Sequence, residues 1–245
     1  MKRLTVLAAA AAVVTACGGG GSDGTSTTTP TPIAVTAEGF WSGTASTGPQ
    51  VQLAILENGE TWGFYTVQGA LAGALYGNTT SSGTSVSGSG LDFYGGAVSP
   101  GNYSGTFSAK NSINLALSSG ASRSTFSGRY SAAYDQPASL ANLAGTFAGF
   151  GLTGKTNAQS VAVTISSTGG ISAGNNSCSA SGTATPRASG KNIFNIRMTF
   201  TGNSCALGNG TVTNGIAYYD TGTREVVVLA LNASKTDGFI YAGVR

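Results

Sequence analysis

The 245-residue chain has no histidine and only 12 basic and 9 acidic side chains. Without imidazole, the commonest general base and transition-metal ligand are missing, which excludes Ser-His-Asp hydrolases and most zinc enzymes. Cysteine is scarce, with three residues, and there are two Met and two Trp. Beyond the N-terminus no apolar run is long enough to cross a bilayer as a helix, which excludes a polytopic helical membrane protein. What abounds is glycine, 38 residues, alongside Ser, Thr, Ala and Asn. At 40% hydrophobic and 9% aromatic, the chain still has material for a core.

Lys2 and Arg3 precede a run from Leu4 to Ala16 that is apolar or small apart from Thr5 and Thr15, and it ends in Val14-Thr15-Ala16-Cys17. The run is too short for a membrane span and reads as an export signal over residues 1–16. Its last four residues resemble the bacterial lipobox. That resemblance implies cleavage before Cys17 and acylation of its thiol; the other reading is an ordinary cleaved signal with an incidental Cys. With two or more acyl chains, each buried CH₂ contributing about 0.8 kcal/mol, such an anchor is effectively permanent. Residues 17–32 continue with four glycines and SDGTSTTTPTP, the composition of a flexible linker. The start Cys17-Gly18-Gly19-Gly20-Gly21 resembles the tethers of surface-displayed Gram-negative lipoproteins, and Gly18 in place of Asp implies sorting to the outer membrane. The implied partner is the membrane itself, with the protein facing either outward or into the periplasm.

Lipidation of Cys17 leaves Cys178 and Cys205. In an oxidising compartment their simplest arrangement is a disulfide, worth about 3–4 kcal/mol for a loop of this length. A metal pair or redox dithiol is the alternative, without the C-x-x-C spacing or the His such sites use.

From residue 33 onward the dominant period is two. Ile113–Leu117, Val161–Ile165 and Phe194–Phe200 alternate apolar with polar residues, and Gly, Ser, Asn or Thr bounds each run. About eight candidate strands precede Asp135 and about eight follow Leu140, with Asp135–Asn142 as a helical or irregular connector. The expected architecture is all-β, with two tandem small antiparallel β-barrel domains over residues 33–136 and 137–245; a flattened sandwich is the competing form. Closure hides strand edges, and glycines inside strands (Gly63, Gly105, Gly128, Gly149, Gly182, Gly243) suit strongly bent walls. The halves echo one another: Ser104-Gly105-Thr106, Lys110-Asn111 and Ile113-Asn114-Leu115 return as Ser181-Gly182-Thr183, Lys191-Asn192 and Phe194-Asn195-Ile196. Lipobox, glycine tether and strand pattern together resemble surface lipoproteins with compact barrels, the transferrin-binding-protein-like and factor-H-binding-like groups.

Gly149–Thr156 satisfies the phosphate-loop pattern G-x-x-x-x-G-K-[ST], but a β-patterned run follows it where the chemistry requires a helix. It reads as a hairpin turn with an exposed Lys155. Asn-Gly pairs at 58, 209 and 214 read as turns, with Glu57 and Glu60 solvated beside the first. Residues 33–136 carry a net charge of −2 and residues 137–245 a net charge of +4. The excess bases are scattered, which argues against nucleic acid and leaves solvated strand faces or a cationic face toward lipid or acidic glycan. Thirteen of the aromatic residues fall in the first half. Adjacent pairs such as Phe40-Trp41, Phe64-Tyr65 and Phe93-Tyr94 must face opposite sides of a sheet, so one member of each lies outside or on a rim. Trp41, Trp62, Tyr65 and Tyr94 are the candidate ligand-binding residues. The expected function is a non-enzymatic binding lipoprotein, without cofactor or metal, whose ligand is a protein, a glycan or a small hydrophobic molecule. The alternatives are an accessory envelope protein without a ligand, or a hydrolase working through carboxylates such as Glu38, Glu57, Glu60 and Asp92.

Overall fold

A computed structural model describes residues 35–174 and 177–245; the expected signal peptide, Cys17 and the linker lie outside these residues. The alternating stretches form β1 (Gly39–Ala45), β2 (Gln50–Ile55), β3 (Glu60–Val67), β4 (Ala70–Ser82), β5 (Ser85–Tyr94), β6 (Ala97–Ser108), β7 (Ser112–Ser119) and β8 (Ser122–Ser131). The second series is β9 (Gly145–Thr153), β10 (Gln159–Ile165), β11 (Gly170–Gly174), β12 (Ser179–Pro186), β13 (Phe194–Thr201), β14 (Val212–Asp220), β15 (Glu225–Asn232) and β16 (Gly238–Val244). Each strand pairs antiparallel with the next, β1 closes on β8 and β9 closes on β16, giving two closed barrels of eight strands each. The sandwich alternative falls, and no strand in either barrel is left with a free edge.

Glycine makes closure possible where two walls come closest. Gly149 on β9 stands opposite Gly243 on β16, and a Cβ on the first would run into the Gly243 backbone, one on the second into the phenol of Tyr241. Asn214-Gly215 belongs to the same category and corrects the turn reading. It lies within β14, where a Cβ on Gly215 would strike the Leu229 carbonyl of β15.

Strand β15 reveals how the barrels meet. Val226 through Leu231 are all buried, so both faces of this strand are dry. Val226 and Val228 point into the second barrel, while Val227, Leu229 and Leu231 join Phe40, Trp62, Phe64 and Phe93 from the outer wall of the first. The outward members of the aromatic pairs are therefore covered by the second barrel. The unequal charges meet along this seam too. Arg187 donates to Glu57 at 2.8 Å and lies 3.9 Å from Glu60, so these acids are ion-paired beside the turn, Glu57 staying exposed as expected and Glu60 partly buried. Lys235 donates to the Tyr76 hydroxyl at 2.8 Å, and Tyr218 to Gln52 at 3.2 Å.

Between the barrels run a 3₁₀ turn, Ala132–Asp135, and a short helix α1, Leu140–Leu143, which overlap the two ends of the connector read from the sequence and extend beyond it on both sides. Ser139 caps α1 by accepting from the Asn142 N–H, and Leu143 is buried in the core of the second barrel. Arg245 returns to the end of α1, donating to the Ala144 and Asn142 carbonyls. Asp135 accepts from Lys110, Lys191 and Tyr130, each at 2.9 Å. The lysines of the two echoed Lys-Asn pairs thus converge on one carboxylate. Their strands are the sixth and seventh of one barrel and the fourth and fifth of the other, so the echo is out of step by one hairpin. Cys178 and Cys205 are bonded, with an S–S distance of 2.03 Å, tying the start of β12 to the loop after β13.

Both tryptophans belong to the first barrel, whereas Leu229 belongs to the second. Leu229→Ala should lower stability by about 2–5 kcal/mol and move the urea midpoint followed by tryptophan fluorescence. An unmoved fluorescence midpoint, with loss confined to the second barrel, would contradict a shared core.

Candidate ligand-binding site

The interiors of the two barrels differ. Phe147, Phe194, Met198, Tyr219 and Tyr241 fill the second, with Leu143 of α1 closing in from one end. In the first, the large buried apolar side chains gather at one end. Trp41, Phe107, Ile113 and Phe126 form a floor there, and Ala37 lies across it, donating its N–H to Ser81 and accepting from the Trp41 indole at 2.9 Å. Above the floor is a cavity of about 410 Å³ walled by Val51, Leu53, Ile55, Leu75, Leu115 and Leu117. Its rim includes Thr47, Val67, Tyr94, Ser119 and Ser122, which belong to the β1–β2, β3–β4, β5–β6 and β7–β8 ends. The mouth is therefore at the end opposite to the one where the described chain begins. Inward positions on β4 and β5 are repeatedly glycine, Gly73, Gly77, Gly88 and Gly90, which removes side-chain volume from the lumen.

Two polar arrangements interrupt this apolar wall. Near the floor, the Tyr103 hydroxyl is 2.7 Å from that of Thr79, which is 2.6 Å from that of Thr61; Thr61 also donates to the Gly59 carbonyl at 3.0 Å. Nearer the mouth, Tyr65 of β3 donates to Asp92 Oδ1 of β5 at 2.8 Å. The ring crosses the intervening β4 at Gly73, where any Cβ would collide with the phenol. Tyr94 follows Asp92 by one pleat on the same side of β5, and its ring lies 6.3 Å from that of Tyr65, tilted by 32°. Burial raises the Asp92 carboxyl above its ordinary pKa, against the opposing effect of the Tyr65 hydrogen bond. Burial and the neighbouring carboxylate push the Tyr65 phenol up as well. A half-buried carboxylate with a shifted pKa, facing a cavity, is the arrangement common to functional sites.

The four candidate residues separate. Tyr65 and Tyr94 come together at the cup, Tyr94 being 60% exposed on its rim. Trp41 is 1% exposed and serves as floor, because its inward pleat meets the chain crossing at Ala37. Trp62 is 4% exposed on the outer wall, stacked edge-on against Tyr76 at 4.7 Å and covered by the second barrel. Neither tryptophan presents an exposed ring, which corrects the expected aromatic surface. Trp62 does line a crevice of about 440 Å³ between the barrels, where its indole N–H has no partner among the described residues. Asp92, read from the sequence only as a carboxylate of the hydrolase alternative, joins the ligand-binding candidates here; its two-residue spacing from Tyr94 places both on one face. The phosphate-loop string is β9 running into a turn: β10 follows it, and the exposed Lys155 lies 3.7 Å from Asp237. Among the described residues no group of three or more His, Cys, Asp and Glu is placed to hold a metal ion, and no helix is long and apolar enough to cross a membrane.

Asp92 and Asp135 should make stability depend on pH with opposite signs. Ionising Asp92 is harder in the folded state, so stability falls as pH rises from the unfolded carboxylate value of about 3.9 through the raised folded value. Hydrogen bonds from Lys110 first, then Lys191 and Tyr130, hold Asp135 at about 2. Its stabilisation is present above the unfolded value of about 3.9 and is lost as pH falls toward the folded one. At pH 7, Asp92→Asn should leave Tm unchanged or raise it, Asp135→Asn should lower it, and both differences should shrink in acid. The reverse order in a Tm-against-pH series would contradict these environments.

Comparison with known proteins adds no relative: no protein-family model, no curated protein and no solved structure matches this chain.

Proposed function

We propose that this chain is a non-enzymatic, lipid-anchored binding protein of the outer membrane, whose first barrel takes up a small hydrophobic ligand. One observation carries the reading: the first barrel keeps a cavity of about 410 Å³, open at one end and walled by aliphatic side chains, while its neighbour of equal strand number is filled. That volume falls within the range of about 300–1,000 Å³ usual for ligand pockets. An eight-stranded barrel is just wide enough to be filled by side chains or to hold one small ligand, and the two barrels of this chain represent the two solutions.

The other ligand classes lose their support with the tryptophans. Protein or glycan recognition rested on exposed Trp and Tyr rings; both indoles are buried, and Tyr94, the one exposed ring of the four, stands on the rim of the cup. Hydrolysis by a carboxylate pair requires two acids across a cleft. Asp92 is the single carboxylate among the residues lining the cup, with Glu38 accepting from Tyr134 and Glu57 and Glu60 facing Arg187. The anchor rests on the resemblance of Val14-Thr15-Ala16-Cys17 to the lipobox and on the linker that follows.

Leu117→Trp fills the upper part of the lumen, where the open mouth leaves room for the larger ring. It should abolish binding of an apolar fluorescent dye without loss of the folded circular-dichroism spectrum; undiminished binding would remove the cup as the site. Cells given labelled palmitate should label the wild-type chain and not Cys17→Ser, and an unlabelled wild type would remove the anchor.

A further inference from the structure

We propose that the ligand of the first barrel carries a cationic amino group on its apolar body, and that Asp92 receives this group beside the rings of Tyr65 and Tyr94. The inference rests on the reading of the cup as a ligand site and identifies the chemistry of its ligand.

Polar groups that face the cavity differ in what they leave free. Several donors are engaged. The Tyr65 hydroxyl is held by Asp92 Oδ1, the Tyr103 hydroxyl lies in the chain through Thr79 and Thr61, and Arg123 at the rim donates through Nη1 to the carbonyls of Gly120 and Ser122. Beside the rings of Tyr65 and Tyr94 an acceptor is left: Asp92 Oδ2 makes no hydrogen bond among the described residues. An ionised carboxylate only accepts, and its strongest partners are charged donors. A ligand carboxylate placed at Asp92 would meet like charge. A ligand hydroxyl donates one bond but leaves the negative charge without a counter-ion.

The neighbouring rings extend the same preference. Tyr65 and Tyr94 flank the acid with centroids 6.3 Å apart, and aromatic faces attract an ammonium ion through the negative face of the ring. Below them the wall is aliphatic, suited to the remainder of an amphiphile. A packing role does not account for Asp92, because an apolar side chain at this inward position would avoid the cost of desolvating a charge.

The test uses the whole chain as the unacylated Cys17→Ser protein, with n-hexylamine, 1-hexanol and hexanoate titrated at pH 7 by calorimetry and by displacement of an apolar dye. The three probes share one chain length and differ in head group. Hexylamine should bind about 10- to 100-fold more tightly than hexanol, the scale of one charge-assisted hydrogen bond, and hexanoate should bind most weakly. Asp92→Asn should reduce the amine's advantage to less than about twofold and leave hexanol affinity unchanged. Tyr65→Phe keeps the carboxylate and should keep the amine preference, so it provides the test even if Asp92→Asn fails to fold. Equal binding of all three probes, or preference for hexanoate, would overturn the head-group inference and leave the cup standing. A wild type that binds neither the dye nor any of the probes would overturn both.

Discussion

The dry seam where Val227, Leu229 and Leu231 of β15 meet Phe40, Trp62, Phe64 and Phe93 is the contact on which the rest of this structure depends. A small barrel ordinarily gains its stability from its filled interior, since interiors approach crystal density and unfilled volume costs contact energy. The first barrel departs from that rule. Its large outward side chains are buried against a neighbour, so stabilisation comes from outside the wall. That leaves the lumen free to lose volume at Gly73, Gly77, Gly88 and Gly90 without losing the fold. The aromatic excess of the first half belongs largely to this seam and to the floor, and the opposite net charges of the halves bring Glu57 and Glu60 to Arg187 across it.

Sealing one end and loading the outer wall divides the first barrel into regions with separate tasks. The floor of Trp41, Phe107, Ile113 and Phe126 is rigid apolar packing, and the hydroxyl chain of Tyr103, Thr79 and Thr61 satisfies the polar groups just above it. The upper half holds the carboxylate of Asp92, which burial makes harder to ionise. Stability gained at the seam offsets the cost of that group, and the cost falls at the open end, where the proposed ligand would meet it.

Much of the fold was legible. Period-two runs bounded by Gly, Ser, Asn and Thr mark the strands of both barrels, and Asn58-Gly59 marks a turn because glycine there adopts a φ of +82°. The connector was legible as the gap in that rhythm. Alternation separates the two faces of a strand but does not say what covers the outer one. Trp62 and Trp41 therefore read alike as candidates for exposure, although one faces a second barrel and the other a floor. The unbroken run Val226–Leu231 was the available sign of a strand dry on both sides. Asn214-Gly215 reads as a turn by local propensity, but close approach of β15 places it in a strand. Asp92 was legible as sharing a face with Tyr94; its bond to Tyr65 depends on a long-range crossing of β4 that no local pattern encodes.

The central claim is that one barrel is hollow and receptive while its partner is packed and closed. Methyl-resolved NMR of the whole chain, titrated with a small apolar alcohol, tests it most directly. The account predicts shifts at the inward methyls of Leu53, Leu75, Leu115 and Leu117, with Val163, Ile171, Ile196 and Val228 in the second barrel unmoved. Shifts confined to Leu71, Leu152 and Leu231 along the crevice between the barrels, or equal shifts in both interiors, would contradict it.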